Sequence, residues 1–292
     1  MAELYGGVET GGTWCVCALG HGPGAILAET QFATAKPEPT LAQMLEFFRA
    51  HPRPAAIGIG SFGPVDLDPA SPTWGYVTAT PKPGWRHVSV GRVLGDALGV
   101  PIAFDTDVAA AALGEKRWGA GRGAESLCYL TVGTGIGTGL LSRGRPWHGL
   151  VHPEGGHMRV PHDRERDPFG GSCPLHGDCW EGLASGGAMA ARWGVRPEAL
   201  ELGHPGWALE ADYLALGILN LTLVASPERV IVGGGVLGHP ALLGMVRERL
   251  PGLLGGYLEA PELRSEIDRY LVPPQLGDRA GVLGAIALAQ AL

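Results

Sequence analysis

The sequence lacks the excess of basic residues expected of a nucleic-acid-binding protein. Its 292 residues include 22 Lys and Arg against 29 Asp and Glu, which gives a formal net charge of −7. This composition disfavours a DNA partner. We also find no apolar stretch of membrane-spanning length and no basic-then-apolar leader at the N-terminus, so we expect no membrane association and a cytoplasmic location.

Cysteine is scarce as well, with five residues scattered along the chain. An odd, dispersed set in a cytoplasmic protein does not favour a disulfide framework. Cys15 and Cys17 alternate within WCVCALG, and Cys128 lies in SLCYLTV. Both segments have the pattern of a strand, so we interpret these three as small buried side chains. Cys173 and Cys179 have a different setting.

Glycine is abundant, with 48 residues alongside 24 prolines, and neither shows a three-residue period. Predicted strands alternate with predicted helices, which is typical of an α/β fold. The arrangement strand, Gly-rich turn, strand occurs twice, in GVETGGTWCV and again in TVGTGIGTGLL about 125 residues later. Two copies of one device suggest two similar domains that face a cleft.

Three Gly-rich turns could bind phosphate: GVETGGT (7–13), GTGIGTG (133–139) and GGGV (233–236). Glycine allows backbone N–H groups to converge on an anion without a Cβ in the way. A tight hairpin with no ligand is the alternative for each turn taken alone. Neither a Walker A motif nor a dinucleotide-binding GxGxxG in a strand–turn–helix context is present.

Two carboxylates follow a predicted buried strand in FDTDV. Asp105 and Asp107 end that strand, and the helix DVAAAALGEKRWG begins at Asp107, which we place at its N-cap. Functional groups gather at the carboxyl ends of strands in α/β sheets. Asp107 is therefore either a plain helix cap or a general base toward a substrate hydroxyl.

The stretch CPLHGDCWEG spaces Cys173, His176 and Cys179 at three-residue intervals and continues to Glu181. The earlier stretch HPEGGH (152–157) supplies Glu154 and His157. Two cysteines and two histidines match a closed, structural zinc site, with His157 as the fourth ligand. The alternative is a pair of loop cysteines beside a surface histidine.

Taken together and in this order, the motifs resemble the ROK family of sugar kinases and repressors over essentially the whole chain. GVETGGT and TVGTGIGTG are similar to the two phosphate hairpins, and VGGG to the turn beside the adenosine. DTDVAAAALGE resembles the stretch with the catalytic Asp, which falls on Asp107. CPLHGDCWEGLASG matches the zinc knuckle and the Glu after it.

This resemblance implies an actin/hexokinase-like (ribonuclease H-like) two-domain α/β fold with a central cleft. The domains would be residues 1–106 with a closing helix at about 279–292, and residues 107–278 with the zinc knuckle. It also implies ATP with Mg²⁺, structural Zn²⁺ and a homodimer. The ATP-binding residues would be Thr10, Gly11, Gly12, Thr13, Thr131, Gly133, Thr134, Gly135, Gly187, Gly233, Gly234 and Gly235.

The hexose would be held by Glu154, His157 and Glu181, with Asp105 either a further sugar contact or a support for Asp107. GSFGPVD (60–66) and TATPKPGW (78–85) look most like the bacterial fructokinase branch. We therefore expect ATP-dependent phosphorylation of D-fructose to fructose 6-phosphate. A hexokinase preferring mannose, glucose or N-acetylglucosamine is the alternative, because the Asn-Asp-x-Asn of many relatives reads Thr-Asp-Val-Ala here.

A repressor or a non-catalytic sugar sensor is the alternative from another functional class. Family repressors carry a helix-turn-helix ahead of the first hairpin, whereas this hairpin begins within ten residues of Met1. We therefore expect a kinase. We further expect the zinc to hold the sugar-binding residues in place, so that its removal weakens hexose binding and leaves nucleotide binding much less affected.

Overall fold

The structure is a computed structural model that describes residues 3–292. Its strands are β1 (Tyr5–Thr10), β2 (Trp14–Gly20), β3 (Ile26–Ala33), β4 (Ala56–Ser61), β5 (Tyr76–Val77), β6 (Val88–Ser89), β7 (Ile102–Thr106), β8 (Leu127–Val132), β9 (Ile136–Ser142), β10 (Arg145–Pro146), β11 (Arg229–Gly233) and β12 (Leu271–Val272). Its helices are α1 (Pro37–Arg49), α2 (Gly91–Leu98), α3 (Asp107–Trp118), α4 (Trp180–Ala184), α5 (Gly186–Trp193), α6 (Gly206–Ala225), α7 (Leu242–Leu254), α8 (Ile267–Tyr270) and α9 (Ala280–Ala289).

Both predicted strand–turn–strand devices are present, as β1–β2 and β8–β9. The stretch 62–87 contains β5, which pairs with β6 in a small antiparallel sheet. The chain divides into two compact units. The first comprises Met1–Gly123, Gly139–Pro153 and Gln275–Leu292, and the second comprises Ala124–Thr138 and Glu154–Pro274.

The first unit is built on a five-stranded sheet of order β3-β2-β1-β4-β7. β1, β4 and β7 are parallel, and β2 and β3 extend the sheet antiparallel. One face carries an apolar core that includes Val8, Ile59 and Met44. On the other face a Cβ on Gly58 would stand 1.8 Å from the backbone oxygen of Ala285. Glycine in β4 therefore allows α9 to pack directly on the strand backbones.

Helix α3 lies in this first unit because it packs against α9. The sequence analysis instead places α3 at the start of the second domain, and the division into functional domains stays a prediction. The expected N-cap at Asp107 is wrong. Thr106 is the cap, with an extended backbone and a side-chain oxygen that accepts from Ala109 N at 3.2 Å. Asp107 is the first helical residue, so its carboxylate is not committed to capping.

The second unit holds most of a sheet of order β10-β9-β8-β11-β12. β8, β11 and β12 are parallel, with Thr131 beside Gly233. Helices α4, α6 and α7 pack together beside it. Helices α4 and α5 are separate because Ser185 adopts an extended backbone and caps α5 by accepting from Ala188 N.

Helix α6 contradicts the expectation that no apolar stretch of this chain has membrane-spanning length. Within its 20 residues, an 18-residue window has a mean hydropathy of 1.4, enough by length and composition alone to cross a membrane. Its contacts are those of a core helix. Glu210 is buried, Asp212 forms ion pairs with Arg166 and Arg249, and Trp180 packs on Gly217. A core helix passes the same length test, so the feature is weak evidence for a membrane span.

Candidate active site

The first Gly-rich turn lies between β1 and β2, and hydrogen bonds of two threonine side chains hold it in place. Thr10 Oγ1 donates to Ser61 Oγ at 2.9 Å, and Thr34 Oγ1 donates to the carbonyl of Gly11 at 2.8 Å. Gly12 and Thr13 at the tip are exposed, and a Cβ on Gly12 would meet nothing within 4 Å. The tip is therefore a fixed loop whose amides are open to a ligand.

Two carboxyl groups, those of Glu9 and Asp105, lie on one face of the sheet in the first unit. Glu9, Gly60 and Asp105 are aligned across β1, β4 and β7. Gly60 has no side chain, and a Cβ there would stand 3.2 Å from Cα of Asp107. The backbone at the start of α3 thus occupies the space above Gly60, which brings Asp107 near the end of the first hairpin.

Asp107 has the ionisation behaviour of a general base. Burial raises its pKa from 3.8 to about 6, and a hydrogen bond from the amide of Val108 to Oδ1 at 2.8 Å opposes that shift. A base with a pKa close to the working pH is ionised and still able to accept a proton.

Glu9 is a candidate that the sequence analysis missed. Its carboxyl packs against Gly281 at the start of α9, and Oε2 is buried without a hydrogen-bond partner. Burial, and after it the charge of Asp107, raises the pKa of Glu9 to about 8. A carboxylate in the strand residue just before a Gly-rich turn was the available signal.

Asp105 is buried and forms hydrogen bonds with its neighbours. Its Oδ1 accepts from the amide of Thr106 at 2.7 Å and lies 3.1 Å from Nε2 of His148. The hydrogen bond with Asp105 raises the pKa of His148. Close by in sequence, His152 is buried and its Nε2 accepts from the amide of Val65 at 3.0 Å. No motif in the sequence analysis singled out His148.

In the second unit, the second Gly-rich turn meets the start of α5. The amide of Gly186 donates to the carbonyl of Gly133 at 2.7 Å, and that of Gly187 donates to Thr134 O at 3.2 Å. The third turn is also close, because a Cβ on Gly186 would lie 3.2 Å from the side chain of Val236. Gly234 itself has φ +95° and lies against Val132. These contacts bring together the predicted ATP-binding residues of this unit, Thr131, Gly133, Thr134, Gly135, Gly187, Gly233, Gly234 and Gly235.

The four predicted metal ligands form one cluster. One ligand atom from each of His157, Cys173, His176 and Cys179 lies within 4.8 Å of all the others. Nδ1 of His157 is 3.5 Å from Cys179 Sγ and 3.8 Å from Cys173 Sγ, so Nδ1 is its ligand atom. Burial raises the pKa of the Cys179 thiol to about 11. A divalent cation would offset that cost by binding the thiolate.

Of the predicted sugar-binding residues of this unit, His157 belongs to the cluster and Glu181 lies beside it. Glu181 Oε1 lies 4.0 Å from Nδ1 of His157, whereas its Oε2 accepts from the amide of Ile136 at 3.0 Å. Glu181 therefore connects the metal cluster to the second Gly-rich turn, a link the sequence analysis did not foresee. Glu154 is exposed and precedes a turn in which Gly155 N donates to Thr138 Oγ1 at 3.1 Å.

Each unit thus contributes a distinct chemical part. The first offers an open Gly-rich loop and, near it, the partly buried carboxyl group of Asp107, whose raised pKa suits it to accept a proton. The second offers a Gly-rich loop at a helix start, together with four side chains that could bind a metal ion and a carboxylate beside them. Proton acceptance beside anion-binding loops is what phosphoryl transfer to a hydroxyl requires.

Comparison with known proteins identifies relatives that match this organisation along the whole chain. The family model described as "ROK family" matches residues 5–292. A fructokinase of Zymomonas mobilis is 43% identical over 297 residues, covering 99% of this chain and 97% of its own.

Solved structures agree with the sequence relatives. A ROK hexokinase from Thermus thermophilus has a TM-score of 0.78 and 28% identity, covering 99% of this chain and 98% of its own. A ROK family glucokinase from Streptomyces griseus, solved in complex with glucose and AMPPNP, has a TM-score of 0.77 and 29% identity, covering 99% of this chain and all of its own. The predicted actin/hexokinase-like fold class is confirmed, and the chain belongs to the ROK family.

Proposed function

We propose that the protein is an ATP-dependent fructokinase that converts D-fructose to fructose 6-phosphate. The observation that carries the kinase assignment is Asp107. Its carboxyl group is partly buried, has a pKa of about 6 and stands at the start of α3, where Thr106 provides the cap. The choice of fructose rests on the 43% identity to a fructokinase along almost the full length of both chains.

In the proposed reaction, Asp107 accepts the proton of the sugar hydroxyl while that oxygen bonds to the γ-phosphorus of ATP. The two Gly-rich turns hold the phosphates through their amides, and the GGG turn lies beside the nucleoside. Most of the catalytic effect in such reactions comes from positioning and from electrostatic stabilisation of the transferred group. Glu154, His157 and Glu181 orient the hexose.

The residues present fit a magnesium ion on the first unit. Oε2 of Glu9 is buried without a hydrogen-bond partner, and magnesium prefers such hard oxygen ligands. Glu9 would hold the ion near the first hairpin, where it would neutralise phosphate charge. His157, Cys173, His176 and Cys179 fit zinc, because two sulfurs and two imidazole nitrogens within 4.8 Å of one another suit a closed tetrahedral site.

The test is a coupled assay of ADP release with fructose, mannose, glucose and N-acetylglucosamine. We expect fructose to have the highest kcat/KM, with mannose second, and an Asp107→Asn variant to serve as the inactive control. A higher value for another hexose would reject fructose but retain the kinase. The absence of any hexose-dependent ADP release would reject the kinase and favour a sugar-binding regulator.

A further inference from the structure

Lys82 places a positive charge at the tip of the first hairpin. Its Nζ donates to the carbonyl of Gly12 at 2.6 Å, although 70 residues separate the two in sequence. Gly12 is exposed, and the Lys82 side chain is partly buried. The ammonium therefore lies beside the open amides of a loop suited to phosphate, within reach of any anion bound there.

The turn that carries Lys82 is anchored in the core of the first unit. Trp85 is fully buried, its Nε1 donates to the carbonyl of Ala35 at 2.9 Å, and its amide donates to Lys82 O at 3.2 Å. Pro81 and Pro83 flank the lysine and restrict its backbone. The position of Lys82 is thus set by the fold, since a flexible surface chain would have no such anchor.

Phe62 links this turn to the hairpin. Its ring meets the ring of Trp85 edge-on, with centroids 5.2 Å apart, and Lys82 Nζ lies 5.9 Å from its centroid. The amide of Phe62 donates to the carbonyl of Thr10 in β1 at 2.8 Å. Phe62 therefore contacts both the hairpin and the turn that carries Lys82, and it fixes the position of one relative to the other.

The negative charges of carboxylates near the first hairpin favour a cation at its tip. Glu9 and Asp107 bring two carboxyl groups to this part of the first unit, and backbone amides carry no formal charge. A triphosphate in the same place would be repelled by both carboxylates when they are ionised. An ammonium at the hairpin tip opposes that repulsion.

Lysine is also the less common basic residue in this chain. Three of its 22 basic residues are lysine, at positions 36, 82 and 116, and the rest are arginine. The lysine ammonium is a compact point charge on a flexible stem, whereas the arginine fork favours one fixed bidentate geometry. A compact charge suits an oxygen that moves as the phosphoryl group is transferred.

We propose that Lys82 is a catalytic residue that releases the Gly12 carbonyl and binds an oxygen of the transferred phosphoryl group. This inference rests on the proposed kinase function. The bond from the sugar oxygen to the γ-phosphorus forms, and the bond from that phosphorus to the bridging oxygen breaks. The electron pair stays on ADP, and the hydroxyl proton goes to Asp107. Lys82 neither gains nor loses a proton and stabilises the charge on the phosphoryl oxygens throughout.

The test compares Lys82→Met, Lys82→Arg and the control Lys36→Met. Lys36 is an exposed lysine of the same unit, so this control removes the same charge elsewhere. We expect Lys82→Met to lower kcat by about 10² to 10³, as for removal of one donor to a developing negative charge. Its affinity for AMPPNP, measured by calorimetry, should fall while its affinity for ADP stays unchanged. Lys82→Arg should recover part of both losses, and Lys36→Met should match the wild type.

Three outcomes would overturn the proposal. If kcat and AMPPNP affinity stay within about threefold of wild type, the lysine only ties down the Gly12 carbonyl. If the KM for hexose rises alone, Lys82 belongs to the sugar site. Equal losses of affinity for AMPPNP and for ADP would show that Lys82 does not contact the transferred phosphoryl group.

Folding is controlled by thermal melts, and Lys82→Gln replaces Lys82→Met if the latter is unstable. If the wild type showed no hexose-dependent turnover, the proposed function would fail. The AMPPNP and ADP titrations would still decide whether Lys82 binds the terminal phosphate.

Discussion

Asp107 is partly buried at the start of α3, and Thr106 caps that helix. Replacing Asp107 by Asn should therefore remove the base with little effect on the fold. We expect kcat to fall by about 10² to 10⁴, the usual contribution of general base catalysis. Steady-state kinetics with a thermal melt measure the two effects separately. A folded variant that keeps more than a tenth of wild-type kcat would contradict the assignment.

The raised pKa of Asp107 predicts the acid limb of the pH profile. The carboxylate is the active form, so activity is present above its pKa of about 6 and is lost as the pH falls through that value. Well below it, kcat/KM should drop about tenfold per pH unit. The residual activity of Asp107→Asn should lack this limb. A wild-type profile that stays flat down to pH 4.5 would show that burial does not raise this pKa.

At the level of single residues, the sequence predicted those functional residues that lie in a recognisable motif. The cluster of His157, Cys173, His176 and Cys179 was predictable because its spacing is chemically specific. Lys82 and His148 were not, because each meets its partner through the tertiary fold, across 70 and 43 residues respectively. Glu9 was overlooked although it lies within a motif, because its burial depends on packing against α9.

The packing of α3 on α9 gives a test at the level of elements. A Cβ on Gly284 would stand 1.7 Å from the carbonyl oxygen of Ala110, a backbone atom that cannot move aside. Gly284→Ala should therefore destabilise the protein by about 1 to 3 kcal/mol or more. Gly252→Ala in α7 is the matched control, since its Cβ would meet nothing within 4 Å. It should gain up to about 1 kcal/mol from helix propensity.

Chemical denaturation followed by circular dichroism measures both variants. A Gly284→Ala protein as stable as the wild type would mean that the two helices can separate at no cost. A Gly252→Ala protein less stable than the wild type would mean that a glycine in α7 has a packing role.

Element types were more predictable from the sequence than element ends. Apolar alternation and Gly-rich turns identified β1–β2 and β8–β9, and the Ala-rich pattern identified α3. The N-cap assignment failed by one residue because Thr106 and Asp107 are both good capping residues. The break between α4 and α5 at Ser185 is not predictable from the sequence, because a serine inside an apolar, helical pattern does not by itself indicate a new cap.

At the scale of the whole molecule, the metal cluster should influence both substrates. His157 lies in the cluster, and Glu181 joins it to the amide of Ile136. Hydrogen bonds to charged groups contribute about 1.5 to 3 kcal/mol each. Loss of one or two should weaken hexose binding by roughly tenfold to several hundredfold. As expected from the sequence, the loss for AMPPNP should be smaller, and the hydrogen bond of Glu181 to the amide of Ile136 in the second Gly-rich turn provides a route for it.

A Cys179→Ser variant, chelated wild type and a Cys128→Ala control test this prediction. Cys128 is buried in β8 and lies outside the cluster, so its replacement should leave the metal content intact. Metal analysis is paired with calorimetric titration of hexose and of AMPPNP. A protein purified without zinc, or metal-free folded protein that binds hexose normally, would reject the role of the ion.

The first unit is assembled from three separate stretches of chain, and the last of them supplies α9. Gly58 of β4 leaves room for the backbone of that helix, so the part of the sheet that α9 covers stays exposed until α9 has been synthesised. During synthesis, the ribosome releases β1 and β4 more than two hundred residues before α9. The second unit, by contrast, is complete by Pro274. The first unit should therefore finish folding after the second unit. Until α9 has been synthesised, chaperones should be needed to protect the exposed part of the sheet in the first unit.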